Sequence, residues 1–465
     1  MSEEKIVRVG SRKSELALIQ TRHVISLLEH EYPDKKFEIV TMNTLGDNVL
    51  DIPLPKIGEK SLFTKELETA LSIGSVDFVV HSLKDLPTTL PDGMVIGAIL
   101  TREDPRDALV LSKKYRKYEL STLPTGSVIG TSSLRRSAQL CRNYPNLIVE
   151  NIRGNLNTRL KKLDELDKYS AIILAAAGLN RIGWQHRISQ ILEPEELMYA
   201  VGQGALAVEC RENDNEIIDL LSPLYESATA LQVLAERSFL KTLGGGCSAP
   251  VAVTSDLLSK TEDTSHLSLK GGVWSLDGQI NIVHSLALKL PYKQNKRCEN
   301  GLNKIDSIEL SDSSVTNCID SKSCSSLAED EVPRKKQKLE EVSSQLLEND
   351  PHDLCPVQMP VGSDFMGKCP FLESSPVSAK KLLIDIEKQL PTKCPFSSIQ
   401  ETVSTSKQEI SSSSKNNNYC GIVLHKSVEK NVFEMVELLG QNLAESLIKK
   451  GALEVMEKAR AVIHG

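Results

Sequence analysis

Residues 78–87 read Phe78-Val79-Val80-His81-Ser82-Leu83-Lys84-Asp85-Leu86-Pro87, which joins a short apolar strand to a polar turn. Pro87 has no backbone N–H to donate, so a regular strand cannot continue through it. The turn therefore holds a base, a hydroxyl, an ammonium and a carboxylate at the end of a buried strand. An Asp beside a Lys at such a position acts as an acid or base, or anchors an ion pair. On this segment alone, a solvated turn is the simpler interpretation.

Strand and helix patterns alternate on both sides of this stretch. Before it, residues 5–10 and residues 37–42 each have the alternating pattern of a strand. Ser11 is a suitable N-cap for the helix that follows the first strand, and the pattern of residues 60–73 predicts a second helix. After Pro105 the pattern restarts, with strands at 108–111, 127–129, 148–152 and 171–174 and helices at 132–143 and 157–166. This alternation predicts two α/β units that face each other across a cleft.

A third, smaller unit is expected near residue 230, with strand patterns at 267–269 and 280–288 and amphipathic helices at 428–449 and 452–463. The segment 293–417 differs, because it is rich in Ser, Lys, Glu and Asn and has homopolymeric runs at 411–414 and 416–418. Such composition buries too little apolar area to offset an ordering cost of about 1–2 kcal/mol per residue. We expect a disordered insertion there.

Composition limits the classes of function. The net charge is −7, yet ten arginines lie between Arg102 and Arg187, and aromatic residues make up only 4% of the chain. A local arginine excess with few aromatics favours a small anionic ligand over nucleic acid. No apolar run approaches the roughly 20 residues of a membrane helix, and residues 1–5 lack a signal-peptide pattern. We expect a cytoplasmic protein whose ten cysteines are reduced.

The run Gly130-Thr131-Ser132-Ser133-Leu134-Arg135-Arg136 places hydroxyl residues at a helix start and two arginines in its first turn. Positive charge at a helix N-terminus opposes the helix dipole unless an anion is present. The run therefore predicts a receptor for carboxylate or phosphate, although a purely structural role stays open.

Residues 243–250 form a glycine-rich loop that presents Cys247. No Cys-x-x-Cys pattern or nearby His accompanies it, so neither a metal site nor thioredoxin chemistry is indicated, and a lone loop cysteine is often incidental. The glycines at 201–206 match neither the P-loop nor the dinucleotide fingerprint. We therefore expect no metal, and a dehydrogenase is not indicated.

Taken together and in order, these segments resemble the porphobilinogen deaminase family. The matching motifs lie at 10–17, 60–67, 80–87, 131–136, 152–159, 201–206 and 243–250, and the resemblance covers 5–291 and resumes at 419–465. It implies two domains like the halves of a type II periplasmic binding protein and a small α+β domain that carries a cofactor cysteine. The expected boundaries are 1–102 with 200–224, 103–199, and 225–292 with 418–465, with 293–417 as the insertion.

The resemblance also implies an activity, in which four porphobilinogens condense head to tail with loss of ammonia and hydroxymethylbilane is released by hydrolysis, in haem biosynthesis. Cys247 would hold a dipyrromethane cofactor through a thioether, and Asp85 would be the principal acid/base. Cofactor carboxylates would be held by Lys84, Ser132, Ser133, Arg135, Arg136 and Arg159. The substrate would contact Arg12, Ser14, Gln20, Arg153, Arg181 and Gln203. The resemblance also favours a monomer.

The residues agree with this chemistry, because each pyrrole ring carries two carboxylates and the growing chain is a polyanion. Two such charges about 6 Å apart repel by roughly 3 kcal/mol at an effective dielectric of 20. The competing hypothesis is a non-catalytic anion-binding protein that uses the same two-domain cleft; it predicts an unmodified Cys247.

The insertion is absent from the family pattern. Cys355, Cys369 and Cys394 each precede a proline in it, and 368–371 and 393–396 both read Lys-Cys-Pro-Phe. This resembles the Cys-Pro haem-regulatory motif, so haem sensing is one hypothesis and chance Cys-Pro pairs are the other. The basic run 333–338 is either a solvated charge run or a nuclear-import patch.

Overall fold

The computed structural model describes residues 6–44, 64–244, 249–261, 264–291 and 418–464, and the expected insertion at 293–417 lies outside them. In chain order the strands are β1 Val7–Arg12, β2 Phe37–Met42, β3 Phe78–Ser82, β4 Met94–Ile99, β5 Asp107–Leu111, β6 Val128–Gly130, β7 Ile148–Glu150, β8 Ala171–Ala175, β9 Gln190–Leu192, β10 Leu206–Arg211, β11 Val251–Thr261, β12 Thr264–Trp274, β13 Asn281–Leu290, β14 Asn418–Tyr419 and β15 Ile422–Val423.

The helices are α1 Glu15–Glu31, α2 Lys65–Ser72, α3 Leu134–Asn143, α4 Leu156–Glu165, α5 Ala176–Arg181, α6 Asn215–Leu221, α7 Ser227–Thr242, α8 Lys430–Ile448 and α9 Ala452–His464. The strands form a seven-stranded sheet in the order β14-β15-β4-β10-β3-β1-β2, a five-stranded sheet in the order β7-β6-β8-β5-β9, and a three-stranded sheet β11-β12-β13. The predicted fold class, two α/β units with a smaller α+β unit, is confirmed.

The start of α1 differs from the sequence prediction. Ser14, not Ser11, caps the helix, because the side chain of Ser14 accepts a hydrogen bond from the backbone N–H of Ala17 at 3.4 Å. Strand β1 continues through Arg12, which pairs with Met42 of β2. The buried hydroxyl of Ser11 instead accepts a hydrogen bond from Thr21 at 2.9 Å, which joins the strand to the helix above it.

Strand β10 lies between β3 and β4 and is antiparallel to both. Residues 206–211 therefore return the chain to the first sheet after the second sheet has been built. The last part of the chain also contributes to this sheet, since Ile422 of β15 pairs with Ile96 of β4. Residues 418–419 and 422–423, which the expected boundaries place in the third domain, thus add two strands to the first sheet.

Two chain segments, 100–106 and 193–205, connect the first and second sheets, and we call them the crossing segments. They contact each other at Gly204. Gly204 has φ of +89°, and a Cβ there would lie 2.4 Å from the carbonyl oxygen of Glu103. The side chain of Arg102 is nearly buried and makes two hydrogen bonds, of 2.7 and 3.1 Å, to the carboxylate of Glu236 on α7. Glu236 also accepts a hydrogen bond from the backbone of Gly202 at 2.8 Å. One ion pair thus ties both crossing segments to α7.

The third sheet is antiparallel and shares an apolar core with α7 and α8. The two helices approach closely at Gly440, where a Cβ would lie 2.3 Å from the carbonyl oxygen of Ala235. Helix α7 ends at Thr242, and residues 245–248, which include Cys247, lie outside the described ranges.

Candidate active site

Strand β3 ends in a tight 3₁₀ turn, Leu83–Asp85, that carries the polar residues predicted from the sequence. The turn is held by its backbone, because Leu83 N–H donates to Ala205 at 3.0 Å and Leu86 N–H donates to Leu83 at 3.1 Å. The buried guanidinium of Arg237 then donates to the carbonyl oxygens of Leu86 and Pro87, at 3.3 and 2.7 Å. Asp85 therefore sits on a segment that is fixed on both sides.

A small pocket opens beside Asp85 at the carboxyl ends of β1 and β3. Its polar lining comes from α1, β1, β3 and the start of α2, and consists of Arg12, Gln20, Thr64, His81, Ser82 and Asp85. The amide of Gln20 donates to the hydroxyl of Ser82 at 3.0 Å. The structure thus brings together Asp85, Arg12 and Gln20. Ser14 is the N-cap of the adjoining helix α1.

Arg135 and Arg136 are buried in the first turn of α3, and both are paired with one carboxylate. Arg135 donates to Asp107 at 2.8 Å and Arg136 donates to its other oxygen at 2.6 Å. The amide of Gln203 also donates to Asp107, at 2.9 Å. Burial by itself would raise the pKa of Asp107, but the two guanidinium groups hold it well below the ordinary carboxyl range. Asp107 is therefore the anion that makes arginines tolerable at this helix start.

The sequence pattern places the start of β5 at Ala108, one residue after its observed start, and so does not include Asp107. The sequence does indicate that an anion is needed, because two adjacent arginines at a helix N-terminus require one. Asp107 is the acidic residue at the start of the otherwise apolar strand β5. The sequence patterns also leave out Glu209, because they identify no strand at 206–211; Glu209 lies within the buried strand β10 and pairs with His81 at 3.0 Å.

A cationic cluster lies around the turn of Asp85. Burial lowers the pKa of Lys84, and the charge of Arg136 lowers it further while Asp85 opposes this. Burial, followed by the charges of Arg136 and Arg153, lowers the pKa of Arg159 to about 10. Such shifts require the positive groups to lie close enough to repel one another.

This cluster fits a polyanionic cofactor. The charges of Arg135 and Arg136 act on Lys84, and those of Arg136 and Arg153 act on Arg159, while the carboxylates of Asp85 and Asp107 oppose these effects. The buried Nε of Arg136 has no hydrogen-bond partner among the described residues. A dipyrromethane bearing several carboxylates would supply the missing negative charge and acceptors.

The other predicted site residues have identifiable contacts. The hydroxyl of Ser132 donates to the carbonyl of Ile152, and the side chain of Ser133 caps α3 by accepting from the backbone of Arg136 at 3.5 Å. Arg181 donates to Glu103 and to the carbonyl of Gly204, both at 2.7 Å. Arg181 thus lies where the crossing segments meet, as does the buried Gln203.

Several predicted residues lie outside the described ranges. These are Cys247, residues 60–63 of the second predicted helix, and Cys355, Cys369 and Cys394 of the insertion. Within the described ranges, no cluster of three or more His, Cys, Asp or Glu side chains has the arrangement of a metal site. No helix in the same ranges has the length and apolar character needed to cross a bilayer.

Comparison with protein families gives two consecutive matches. Residues 7–219 match "Porphobilinogen deaminase, dipyromethane cofactor binding domain", and residues 230–301 match "Porphobilinogen deaminase, C-terminal domain". The chain belongs to the porphobilinogen deaminase family. It is accordingly a transferase of tetrapyrrole biosynthesis, a hydroxymethylbilane synthase whose cofactor is dipyrromethane, and no observation favours the non-catalytic alternative.

Curated relatives agree with this assignment. The porphobilinogen deaminase of Synechococcus elongatus is 52% identical over 278 residues, which are 60% of this chain and 85% of the relative. That of Gloeobacter violaceus is 52% identical over 276 residues, which are 59% of this chain and 83% of the relative. Among solved structures, the periplasmic aliphatic sulphonate binding protein SsuA of Escherichia coli aligns with a TM-score of 0.29 and 14% identity, over 53% of this chain and 76% of that one.

Proposed function

We propose that Asp85 is the catalytic acid/base for the stepwise condensation of four porphobilinogens on a dipyrromethane bound to Cys247, followed by hydrolytic release of hydroxymethylbilane. The observation that supports these roles is the position of Asp85, on a rigid turn between the pocket of Arg12 and Gln20 and the cluster of Lys84, Arg136 and Arg159. The carboxylate of Asp85 thus borders both this pocket and the cationic cluster.

Asp85 has two tasks in each addition. Loss of ammonia from porphobilinogen leaves positive charge on its exocyclic carbon and pyrrole nitrogen, and a nearby carboxylate stabilises that charge electrostatically. After the new carbon–carbon bond forms, the attacked ring carbon must lose its proton, and Asp85 is the group placed to accept it. The fixed backbone of the turn keeps this carboxylate in place through successive additions.

Cofactor binding is assigned to the second sheet and the turn. Cys247 would hold the dipyrromethane through a thioether, and Lys84, Ser132, Ser133, Arg135, Arg136 and Arg159 would hold its carboxylates. The bound cofactor supplies the nucleophilic ring carbon on which the chain is extended. Because Asp107 fixes Arg135 and Arg136 before any ligand arrives, these side chains are pre-organised and little rotamer entropy is lost on binding.

Substrate binding is assigned to Arg12, Ser14, Gln20, Arg153, Arg181 and Gln203. Arg12 and Gln20 line the pocket at Asp85, and Ser14 fixes the start of the helix that carries Gln20. Arg181 and Gln203 contact the crossing segments, so their contribution would include the geometry of the cleft between the first and second sheets.

The decisive test is Asp85→Ala. The variant should fold and carry the mass increment of two linked pyrroles, yet lose nearly all release of ammonia from porphobilinogen. Asp92→Asn is the control, because Asp92 is an exposed carboxylate seven residues along the chain. Normal turnover by D85A would remove Asp85 from its assigned role, and a bare Cys247 in active, unmodified protein would remove the cofactor assignment.

We also propose that the protein is a monomer and is cytoplasmic. Its proposed domains are 1–102 with 200–224, 103–199, and 225–292 with 418–465.

The insertion, 293–417, is proposed to sense haem through Cys355, Cys369 and Cys394, whose Cys-Pro sequences support this role. Titration of haem into the protein and into the triple Cys→Ser variant tests this, and identical spectra would end it.

A further inference from the structure

The two faces of β3 have different partners at the active-site end. Ser82 points to the α1 face, where it bonds Gln20. His81 faces the other side, where its Nε2 lies 3.0 Å from a carboxylate oxygen of Glu209 on the neighbouring strand β10. The two side chains are 4% and 0% exposed, so water does not screen the pair. His81 also borders the pocket of Asp85.

Glu68 on α2 is buried next to this pair. Helix α2 packs on both β3 and β10, and Thr64 at its start borders the same pocket as His81 and Asp85. One carboxyl oxygen of Glu68 and the second oxygen of Glu209 are buried without a hydrogen-bond partner among the described residues. Two ionised carboxylates in this position would repel each other and leave acceptors unsatisfied, whereas one proton on Glu68 removes the repulsion.

The electrostatics of Glu68 agree with that geometry. Burial raises the pKa of Glu68, and the side chain of Thr64 lowers it. The neighbouring charges of Glu209 and Glu66 raise it further, while His81 on β3 acts in the opposite direction.

We propose that Glu209 is a positioning residue for the reaction, which holds His81 behind the turn of Asp85 through their buried contact at 3.0 Å. The pair acts on Asp85 through the end of strand β3, which carries both His81 and the turn. The inference rests on the proposed role of Asp85, and it adds a hydrogen bond that fixes the strand end behind that carboxylate.

The kinetic test is Glu209→Gln, which preserves shape and an acceptor for His81 but removes the charge. We expect kcat per cofactor-loaded molecule to fall about tenfold or more, because small displacements at a reacting group are costly. KM should stay unchanged, and the pH dependence of kcat should shift. Glu38→Gln is the matched control, since Glu38 is an exposed carboxylate on β2 of the same sheet.

An unchanged kcat and pH profile in folded, cofactor-loaded E209Q would overturn the positioning role. That outcome differs from failure of the proposed function, because D85A would still abolish turnover while E209Q did not.

The raised pKa of Glu68 is tested by stability instead of activity. A buried carboxyl group with a raised folded pKa binds a proton that the unfolded chain has released, so it costs stability increasingly as pH rises from the ordinary carboxyl pKa to the folded one. Glu68→Gln cannot titrate, so its stability relative to the unmodified protein should increase as pH rises above about 4 in urea unfolding. A difference that does not change with pH would show that the pKa of Glu68 is not raised.

Discussion

Removal of the Asp107 carboxylate, which pairs with both Arg135 and Arg136, is predicted to lower the stability of the protein strongly. Asp107 is fully buried and accepts hydrogen bonds from Arg135, Arg136 and Gln203 at 2.8, 2.6 and 2.9 Å. Asp107→Asn keeps the shape but leaves two buried guanidinium groups without their counter-charge. Loss of one partner of a buried ion pair costs about 3–5 kcal/mol, and we expect D107N to lose this much stability at neutral pH.

The pH dependence of this loss follows from the low pKa of Asp107. A carboxyl group whose folded pKa is depressed stabilises the protein wherever the unfolded group is ionised, which is above about pH 4. That stabilisation disappears as pH falls towards the folded pKa. The difference between D107N and the unmodified protein should therefore be constant from pH 8 to pH 5 and become smaller below about pH 4.

Urea unfolding followed by the fluorescence of Trp184 and Trp274 measures this difference. Asp104→Asn is the control, because Asp104 forms a partly exposed pair with Arg106, with side-chain exposures of 26% and 33%. Pairs of that kind contribute less than about 1 kcal/mol. If D107N were no less stable than D104N, Asp107 would not be the counter-charge that the structure indicates.

Two further predictions concern the crossing segments. Arg102→Met leaves the buried carboxylate of Glu236 without its cation, so a loss of about 3–5 kcal/mol is expected in the same unfolding assay, and a loss below about 1 kcal/mol would contradict it. Gly204→Ala places a methyl group 2.4 Å from the carbonyl oxygen of Glu103 at a φ of +89°. Its urea unfolding midpoint should therefore fall well below that of the control Gly74→Ala, where φ is +70° and no atom lies within 4 Å. Equal unfolding midpoints would show that the contact at Gly204 is not tight.

The sequence predicted the turn of Asp85 well because the pattern that specifies it is local. An apolar strand followed by His, Ser, Lys, Asp and Pro specifies a strand end and a polar turn, and the structure has β3 followed by the turn Leu83–Asp85. The same reasoning gave β2 its observed bounds, Phe37–Met42. It gave the wrong cap for α1, because a hydroxyl that bonds across to Thr21 cannot be distinguished in sequence from one that caps a helix.

Long-range partners could not be read from the sequence. Glu209 lies 128 residues from His81, and Asp107 lies 28 and 29 residues from its two arginines. The arginine pair indicates that an anion is needed, but the sequence does not indicate which distant residue supplies it. Strand β4 is buried at all six positions and shows no alternation, so its pattern does not distinguish a strand from a buried helix. The seven motifs supplied what periodicity could not, since their order identifies the family.

The position of β10 and β15 has a consequence for synthesis of the chain. Strand β4 emerges early, but its hydrogen-bonding neighbours are residues 206–211 on one side and Ile422 on the other. At 5–20 residues per second, roughly 15 seconds to a minute separates translation of β4 from that of Ile422. During this time a nascent chain bears an unpaired, entirely apolar strand edge, which is prone to aggregate. Expression yield should therefore depend on holdase chaperones, and a longer insertion would extend that exposure.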